Sequence, residues 1–310
     1  MQTLQQLLED RIAPSRQYSE RTVELYLETL EQFRRFLGHE PTLDDLDDVT
    51  AAKFCRWRLT TNYRGKAVTP ATMGKDSTQL KSMWNFAAKK RLKRSDGTDI
   101  EFPDYRTPTI PKPRPRAFHA DDLAKLVAAA RHRRGQVGTL PAAWYWSTKL
   151  MAQFQTGERI GAILELRWSE VDLEQKTLTF LAHTRKGHAQ TITRPITDRL
   201  ASLLACEKRP DTERVWPWLE HRSYPSLYAS LKVLCRTAGV SYLPFHSIRK
   251  ATASYIRRGG GSAKGQLGHE TDGIAERHYY DEDIVGRENN LDLLPDIERP
   301  AGRRARREEG

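Results

Sequence analysis

Between Phe102 and Arg116 the chain carries Pro103, Pro108, Pro111, Pro113 and Pro115. Each proline fixes φ and lacks an amide hydrogen, so neither a helix nor a central strand can run through this stretch. It is predicted to be an extended, semi-rigid spacer that divides the chain. At 310 residues, the length suits about two ordinary domains of roughly 100–200 residues each. The implied boundaries are an N-terminal helical domain over 1–101, a linker over 102–116 and a second domain over 117–297. A basic tail over 298–310, with Arg303, Arg304, Arg306 and Arg307, is predicted to be disordered. Lys112, Arg114 and Arg116 make the linker basic, so it can lie along a polyanion or serve as a plain tether.

The first domain reads as helical over residues 19–91. Ser19 is a natural N-cap for a stripe of Val23, Leu27, Leu30, Phe33 and Leu37, and Gly38 is a natural stop. A second helix is expected over Ala51–Leu59. A third opens at Thr69-Pro70 and carries Leu80, Met83, Trp84 and Ala87 on its apolar face, with Lys75, Lys81, Lys89, Lys90 and Arg91 on its flanks and end. Beyond the linker, helices are expected at Ala120–Arg131, Ala142–Gln155, Asp198–Cys206, Ser226–Thr237, Ser247–Arg258 and Gly273–Tyr280. Between them, Thr177–Ala182, a turn over His183–Ala189 with Gly187 at its tip, and Gln190–Ile196 read as a hairpin. Trp144, Trp146 and Trp168 are expected in the core.

The net charge is +11, a surplus that favours a polyanionic partner, although acidic lipid satisfies the same electrostatics as nucleic acid. No apolar run reaches the roughly 18–20 residues of a membrane span, and the first residues lack the pattern of a secretory signal, so a cytoplasmic protein is expected. Cys55, Cys206 and Cys235 are odd in number and widely spaced, which suits reduced, mostly buried thiols better than disulfides or a metal site.

The groups able to do chemistry are spread along the second domain. Arg159 lies in Thr156-Gly157-Glu158-Arg159-Ile160-Gly161, an expected break between helices, and His246 and Arg249 stand three apart at a helix start, where both can address one site. His269 follows in Leu267-Gly268-His269, and Tyr279 lies ten residues further on. Two guanidinium groups can fork onto the nonbridging oxygens of a phosphate and stabilise the charge that builds there when phosphorus becomes five-coordinate. A phenol with an ordinary pKa of about 10 is a poor nucleophile until nearby cations favour its phenolate.

In this order the residues resemble the active site of the tyrosine recombinase, or phage integrase, family. Thr156-Gly157-Glu158-Arg159 with Leu166-Arg167-Trp168 resembles its first arginine box, His246-Ser247-Ile248-Arg249 its His-x-x-Arg box, and Leu267-Gly268-His269 with Arg277-His278-Tyr279 its closing box. The resemblance covers about Arg116 to Tyr280. It implies a mainly α, two-domain fold: a helical, SAM-like N-terminal domain that clamps DNA, and a mixed α catalytic domain with a small β-hairpin or sheet. It also implies a catalytic set of Arg159, Lys186, His246, Arg249, His269 and Tyr279. The arginines bind the scissile phosphate, the histidines hydrogen-bond it or assist proton transfer, Lys186 protonates the departing 5′ oxygen, and Tyr279 forms a 3′-phosphotyrosine. The ester stores the bond energy, so neither cofactor nor metal is required. Four protomers acting on two DNA duplexes are the implied assembly.

The sequence departs from the family pattern at the third position after Arg159, often acidic and here Ala162, for which Glu165 is a possible substitute. The stretch between Arg249 and His269, with Gly259-Gly260-Gly261, is also short. Arg185 competes with Lys186, and Tyr280 with Tyr279, although the closing box favours Tyr279. Ile284, Leu291, Leu293 and Leu294 can pack either on a neighbouring protomer or on their own domain. Two other functions remain open: a type IB topoisomerase, which reseals one strand without exchanging partners, and a DNA-binding regulator that has lost catalysis.

Overall fold

Thr3 and Gln6 cap each other, each side chain accepting from the other's backbone amide at 3.1 and 3.0 Å. This box opens α1 (Leu4–Leu7), which runs through a π-helical turn (Leu8–Ile12) into α2 (Ala13–Ser15). The expectation of helix from Ser19 onward leaves this segment out, although Leu4, Leu7, Leu8 and Ile12 have helical spacing and are fully buried. The computed structural model describes residues 2–63, 65–110, 114–185, 190–262, 267 and 279–286. The expected disordered tail, Leu291, Leu293 and Leu294 lie outside them. The chain divides into two units, Met1–Pro113 and Arg114–Gly310.

In the first unit, α3 (Glu20–Leu37) starts where the Ser19 hydroxyl accepts the Thr22 amide and stops at Gly38, whose φ of +79° admits the left-handed cap. Such an N-cap contributes about 1 kcal/mol. Helices α4 (Asp48–Thr60) and α5 (Pro70–Lys89) pack with α3 around Phe33, Phe54, Leu80 and Met83, with a two-stranded hairpin of β1 (Asn62–Tyr63) and β2 (Lys66–Ala67) between them. Arg58 donates to Asp76 at 2.7 Å inside this core, and Thr29 donates to the other oxygen of the same carboxylate at 2.9 Å.

Residues 101–110 have no regular secondary structure. They are fastened to the first unit: the Asp48 carboxylate accepts the Asp104 and Tyr105 amides, and the Tyr105 hydroxyl shares a hydrogen bond with Ser77. Ile110 lies over Gly74, where an added Cβ would stand 2.0 Å from its Cδ1. This stretch is therefore extended but tied down. Two of the lysines flanking α5 have intramolecular partners: Lys81 donates to the Tyr105 carbonyl at 2.7 Å, and Lys75 pairs with Asp76 at 3.3 Å. Lys89, Lys90 and Arg91 are exposed.

The second unit packs α6 (Ala120–Arg131), α7 (Ala142–Thr156), the short α8 (Ile160–Glu165), α9 (Asp198–Ala205), α10 (Trp218–His221), α11 (Tyr224–Thr237) and α12 (His246–Arg258) around one apolar core. Strands β3 (Gln136–Val137) and β4 (Leu140–Pro141) form a small hairpin ahead of α7. The predicted hairpin is present as β6 (Thr177–Phe180) against β7 (Ile192–Pro195), shorter than expected, because a 3₁₀ turn at Ala182–Thr184 ends the first strand. β5 (Val171–Asp172), which the sequence did not reveal, joins β6 to complete a three-stranded antiparallel sheet. Gly187, its expected tip, is outside the described residues.

Trp144, Trp146 and Trp168 are buried as expected. Cys55 and Cys235 are buried, but Cys206 is exposed, because it caps the outer end of α9. Ile284, in a short helix (Glu282–Val285), is 3% exposed and packs into the core of its own unit. Among the described residues no helix is long and apolar enough to cross a membrane, and no group of three or more His, Cys, Asp or Glu is placed to hold a metal ion.

Candidate active site

Helix α7 ends at Gly157, whose φ is +68°. A Cβ there would stand 2.8 Å from Leu267 Cδ2 and 3.1 Å from Thr252 Cγ2, so both the left-handed backbone and the close approach require glycine. Only Glu158 separates this cap from Arg159, which is the N-cap of α8. The reversal turns the Arg159 side chain into a cleft of about 300 Å³, lined also by Gln153, Thr184, Tyr224, Tyr228, His246 and Arg249. Arg159 is half-buried, and among the described residues nothing accepts a hydrogen bond from its side chain.

Arg249 is fully buried. Its Nη1 donates to the Gly157 carbonyl at 2.6 Å and its Nη2 to the Leu267 carbonyl at 2.9 Å. A guanidinium has five N–H groups, and these two carbonyls grip it by both terminal nitrogens. Burial pushes the Arg249 pKa down and Arg159 adds to the fall, while Tyr279 and Glu158 act in the opposite direction. Arg249 is thus held by carbonyls from two other segments.

His246 opens α12 and packs on Tyr279, with ring centroids 5.1 Å apart. Loss of water, followed by the fields of Lys250, Arg249 and Arg159, lowers its pKa to about 4. It is therefore a neutral imidazole near pH 7. Tyr279 is 5% exposed, and the Arg249 guanidinium lies 5.5 Å from its ring centre. The same helix fastens the tyrosine segment: the Ser254 hydroxyl donates to the Tyr279 carbonyl at 3.3 Å and accepts the Asp281 amide at 2.9 Å. The Asp281 carboxylate in turn accepts the Ala117 amide at 2.6 Å. The helix expected over Gly273–Tyr280 does not reach Tyr279 and Tyr280, which are non-helical; the rest of that span is outside the described residues. Tyr280 is half-buried, with Arg257 6.0 Å from its ring centre.

Arg159, His246, Arg249 and Tyr279 thus come together, whereas Lys186 and His269 lie outside the described residues. Arg185, the rival of Lys186, points inward: it is 5% exposed, paired with Glu158 at 3.1 Å and bonded to the Gln190 carbonyl at 2.9 Å. Glu165 does not take the place left by Ala162, because Arg214 holds its carboxylate at 2.8 Å. The carboxylate that reaches the site is that of Glu158, fully buried, which the sequence reading passed over. Its one visible signal was its place beside Arg159.

The sequence profile of the phage integrase family matches residues 116–284, and that of the phage integrase SAM-like domain matches residues 3–101. A putative tyrosine recombinase XerC from Pseudomonas aeruginosa is 22% identical over 211 residues, covering 66% of this chain and 47% of that protein. The chain therefore spans about half the length of that curated relative. Among solved structures, a lambda integrase tetramer bound to a Holliday junction superposes with a TM-score of 0.66 at 19% identity, covering 93% of this chain and 80% of that one. A Tn1549 transposon integrase in complex with transposon right end DNA gives 0.66 at 11% identity over 90% and 95% of the two chains. The XerH site-specific recombinase bound to difH substrate gives 0.65 at 14% identity over 94% and 83%. At these identities the structural likeness is one of fold: mainly helical, with small antiparallel sheets.

Proposed function

The chain belongs to the phage integrase family, and from that premise we propose that it is a site-specific DNA recombinase that cleaves and rejoins strands through a 3′-phosphotyrosine on Tyr279. The observation that carries this reading is the setting of Tyr279, its ring 5.1 Å from that of His246 and 5.5 Å from the Arg249 guanidinium. Both of those residues line the cleft that Arg159 enters. In the proposed reaction the Tyr279 oxygen bonds to phosphorus as the P–O5′ bond breaks. Arg159 and Arg249 receive the charge that accumulates on the nonbridging oxygens. A neutral His246 is able to accept the phenolic proton, and Lys186, with His269 near the phosphate, protonates the departing 5′ oxygen. Religation reverses these steps and conserves the phosphodiester energy, so the scheme calls for no cofactor.

Residues 1–101 are proposed as the DNA-clamping part, 102–116 as the linker and 117–297 as the catalytic part. Double-stranded DNA is the proposed substrate and a tetramer on paired duplexes the working assembly, as in the lambda integrase relative whose structure is a tetramer on a Holliday junction. The same reading puts the protein in the cytoplasm.

The test uses nicked duplexes tiled across the DNA that flanks the encoding gene, incubated with the full chain and resolved under denaturing conditions. A covalent protein–DNA adduct is expected from the unaltered chain and from Tyr280→Phe. Tyr279→Phe should lose it while keeping DNA affinity within about threefold, because the hydroxyl is needed for chemistry rather than for contact with the backbone. Adduct from Tyr279→Phe overturns the nucleophile assignment. No adduct from the unaltered chain points to a binding regulator, and relaxation of any supercoiled plasmid without a defined site points to a topoisomerase.

A further inference from the structure

We propose that Glu158 is a positioning residue for the cleavage step, supplying from the residue before Arg159 the buried carboxylate that orients Arg249. The inference rests on the recombinase reading and deepens it. Its starting point is a mismatch of place: the position three residues after Arg159 holds the methyl group of Ala162, 2% exposed, and Glu165 is turned away to Arg214. The site nevertheless contains a carboxylate. Glu158 accepts from Arg185 through both oxygens, Oε1 from Nη2 at 3.1 Å and Oε2 from Nε at 3.4 Å. Its Oε2 also lies 3.9 Å from Arg249 Nη1.

Three side chains, none more than 5% exposed, therefore form an Arg185–Glu158–Arg249 arrangement with one negative charge between two positive ones. The carbonyl of Leu267 bridges the same two guanidinium groups, accepting from Arg249 at 2.9 Å and from Arg185 at 3.4 Å. Each member comes from a different part of the unit: the turn after α7, the end of the first arm of the hairpin, and the first turn of α12.

Two consequences follow from this geometry. First, a buried guanidinium without a counter-charge is costly, and two of them side by side more so. Glu158 supplies part of that counter-charge to Arg249, whose pKa burial lowers. Second, the carboxylate fixes direction as well as charge. With Gly157 and Leu267 holding the two terminal nitrogens, a lateral pull from Glu158 sets the plane of the Arg249 fork, and a displacement of about 1 Å at such a donor can cost about a hundredfold in rate. Arg185, in the same grip, precedes Lys186, so Glu158 also ties the hairpin arm to the turn between α7 and α8.

The experiment measures, for Glu158→Gln and Glu158→Asp in the full chain, the rate of adduct formation at saturating DNA, the DNA affinity and the melting temperature. The DNA is whichever nicked duplex gives adduct with the unaltered chain. Glu158→Gln keeps the shape but aims an amide at a guanidinium. A fall in rate of fiftyfold or more, with affinity within threefold, and a smaller fall for Glu158→Asp is the expected result. Wild-type rate in a folded Glu158→Gln protein, whatever its melting temperature, overturns the proposal and leaves Glu158 a scaffold residue. If Glu158→Gln does not fold, Glu158→Asp decides. It retains the charge one methylene further back, so a slowed rate at unchanged affinity supports positioning and an unchanged rate overturns it. Absence of adduct from the unaltered chain is a different failure, that of the recombinase reading itself.

Discussion

At the scale of single residues, the protonation state of His246 is the property with the clearest consequence. Its pKa is lowered to about 4 from an ordinary value of about 6.5. Between those two values the folded chain binds fewer protons at this position than the unfolded chain does. The linkage relation then has stability rising with pH through that window, and this contribution is complete above about 6.5 and lost as pH falls toward 4. For the same reason His246 stays neutral across the neutral range. The profile of adduct formation against pH should therefore show no inflection near 6.5 that His246→Asn removes. Such an inflection, abolished by that substitution, would mean that the imidazole is protonated in the working site. That Arg159, His246, Arg249 and Tyr279 would gather in one place was largely legible in the sequence, because their order and spacing mark them. What Glu158 does was not legible. Its meaning depends on Arg185, 27 residues away, and on an arginine in another helix, and burial of a carboxylate in a Thr-Gly-Glu-Arg run leaves no trace in the pattern.

At the scale of elements, the turn between α7 and α8 controls the site. Gly157 is left-handed, touches Leu267 and Thr252, and gives its carbonyl to Arg249. Gly157→Ala adds a strained backbone and a close contact at 2.8 Å, so a loss of about 1–3 kcal/mol is expected. In a domain of 150–250 residues each kcal/mol lowers the melting temperature by about 2–4 °C. Adduct formation should fall by at least tenfold beyond any loss of folded protein; a variant that melts earlier but cleaves at full rate would show that the turn only supports the fold. Helices were readable where capping chemistry marks their ends: Ser19 and Gly38 bound α3, and Thr69-Pro70 opens α5. The hairpin of β6 and β7 was readable too, but β5 was not, because it is two residues long and owes its existence to its neighbour in the sheet. Nor was the π-helical turn Leu8–Ile12, which shares the apolar spacing of the helices on either side.

For the molecule as a whole, the surplus of +11 charges should make DNA affinity steeply dependent on salt. If six to ten phosphates are contacted, affinity falls by roughly 10³–10⁵ between about 50 and 200 mM monovalent salt. A nearly flat dependence in a filter-binding or anisotropy titration would rule out backbone contacts as the main source of binding. The charge excess was plain in the composition, whereas the contact that closes the second unit was not. The Asp281 carboxylate accepts the Ala117 amide across 164 residues of chain, and two positions before Asp281 the Tyr279 carbonyl accepts from Ser254. A ribosome adding roughly 5–20 residues per second needs on the order of ten seconds to travel from the first of these partners to the second. Until then the amide of Ala117 lacks the carboxylate that accepts it in the finished fold. Translation order thus sets when the second unit can close, which is only after synthesis has passed Asp281.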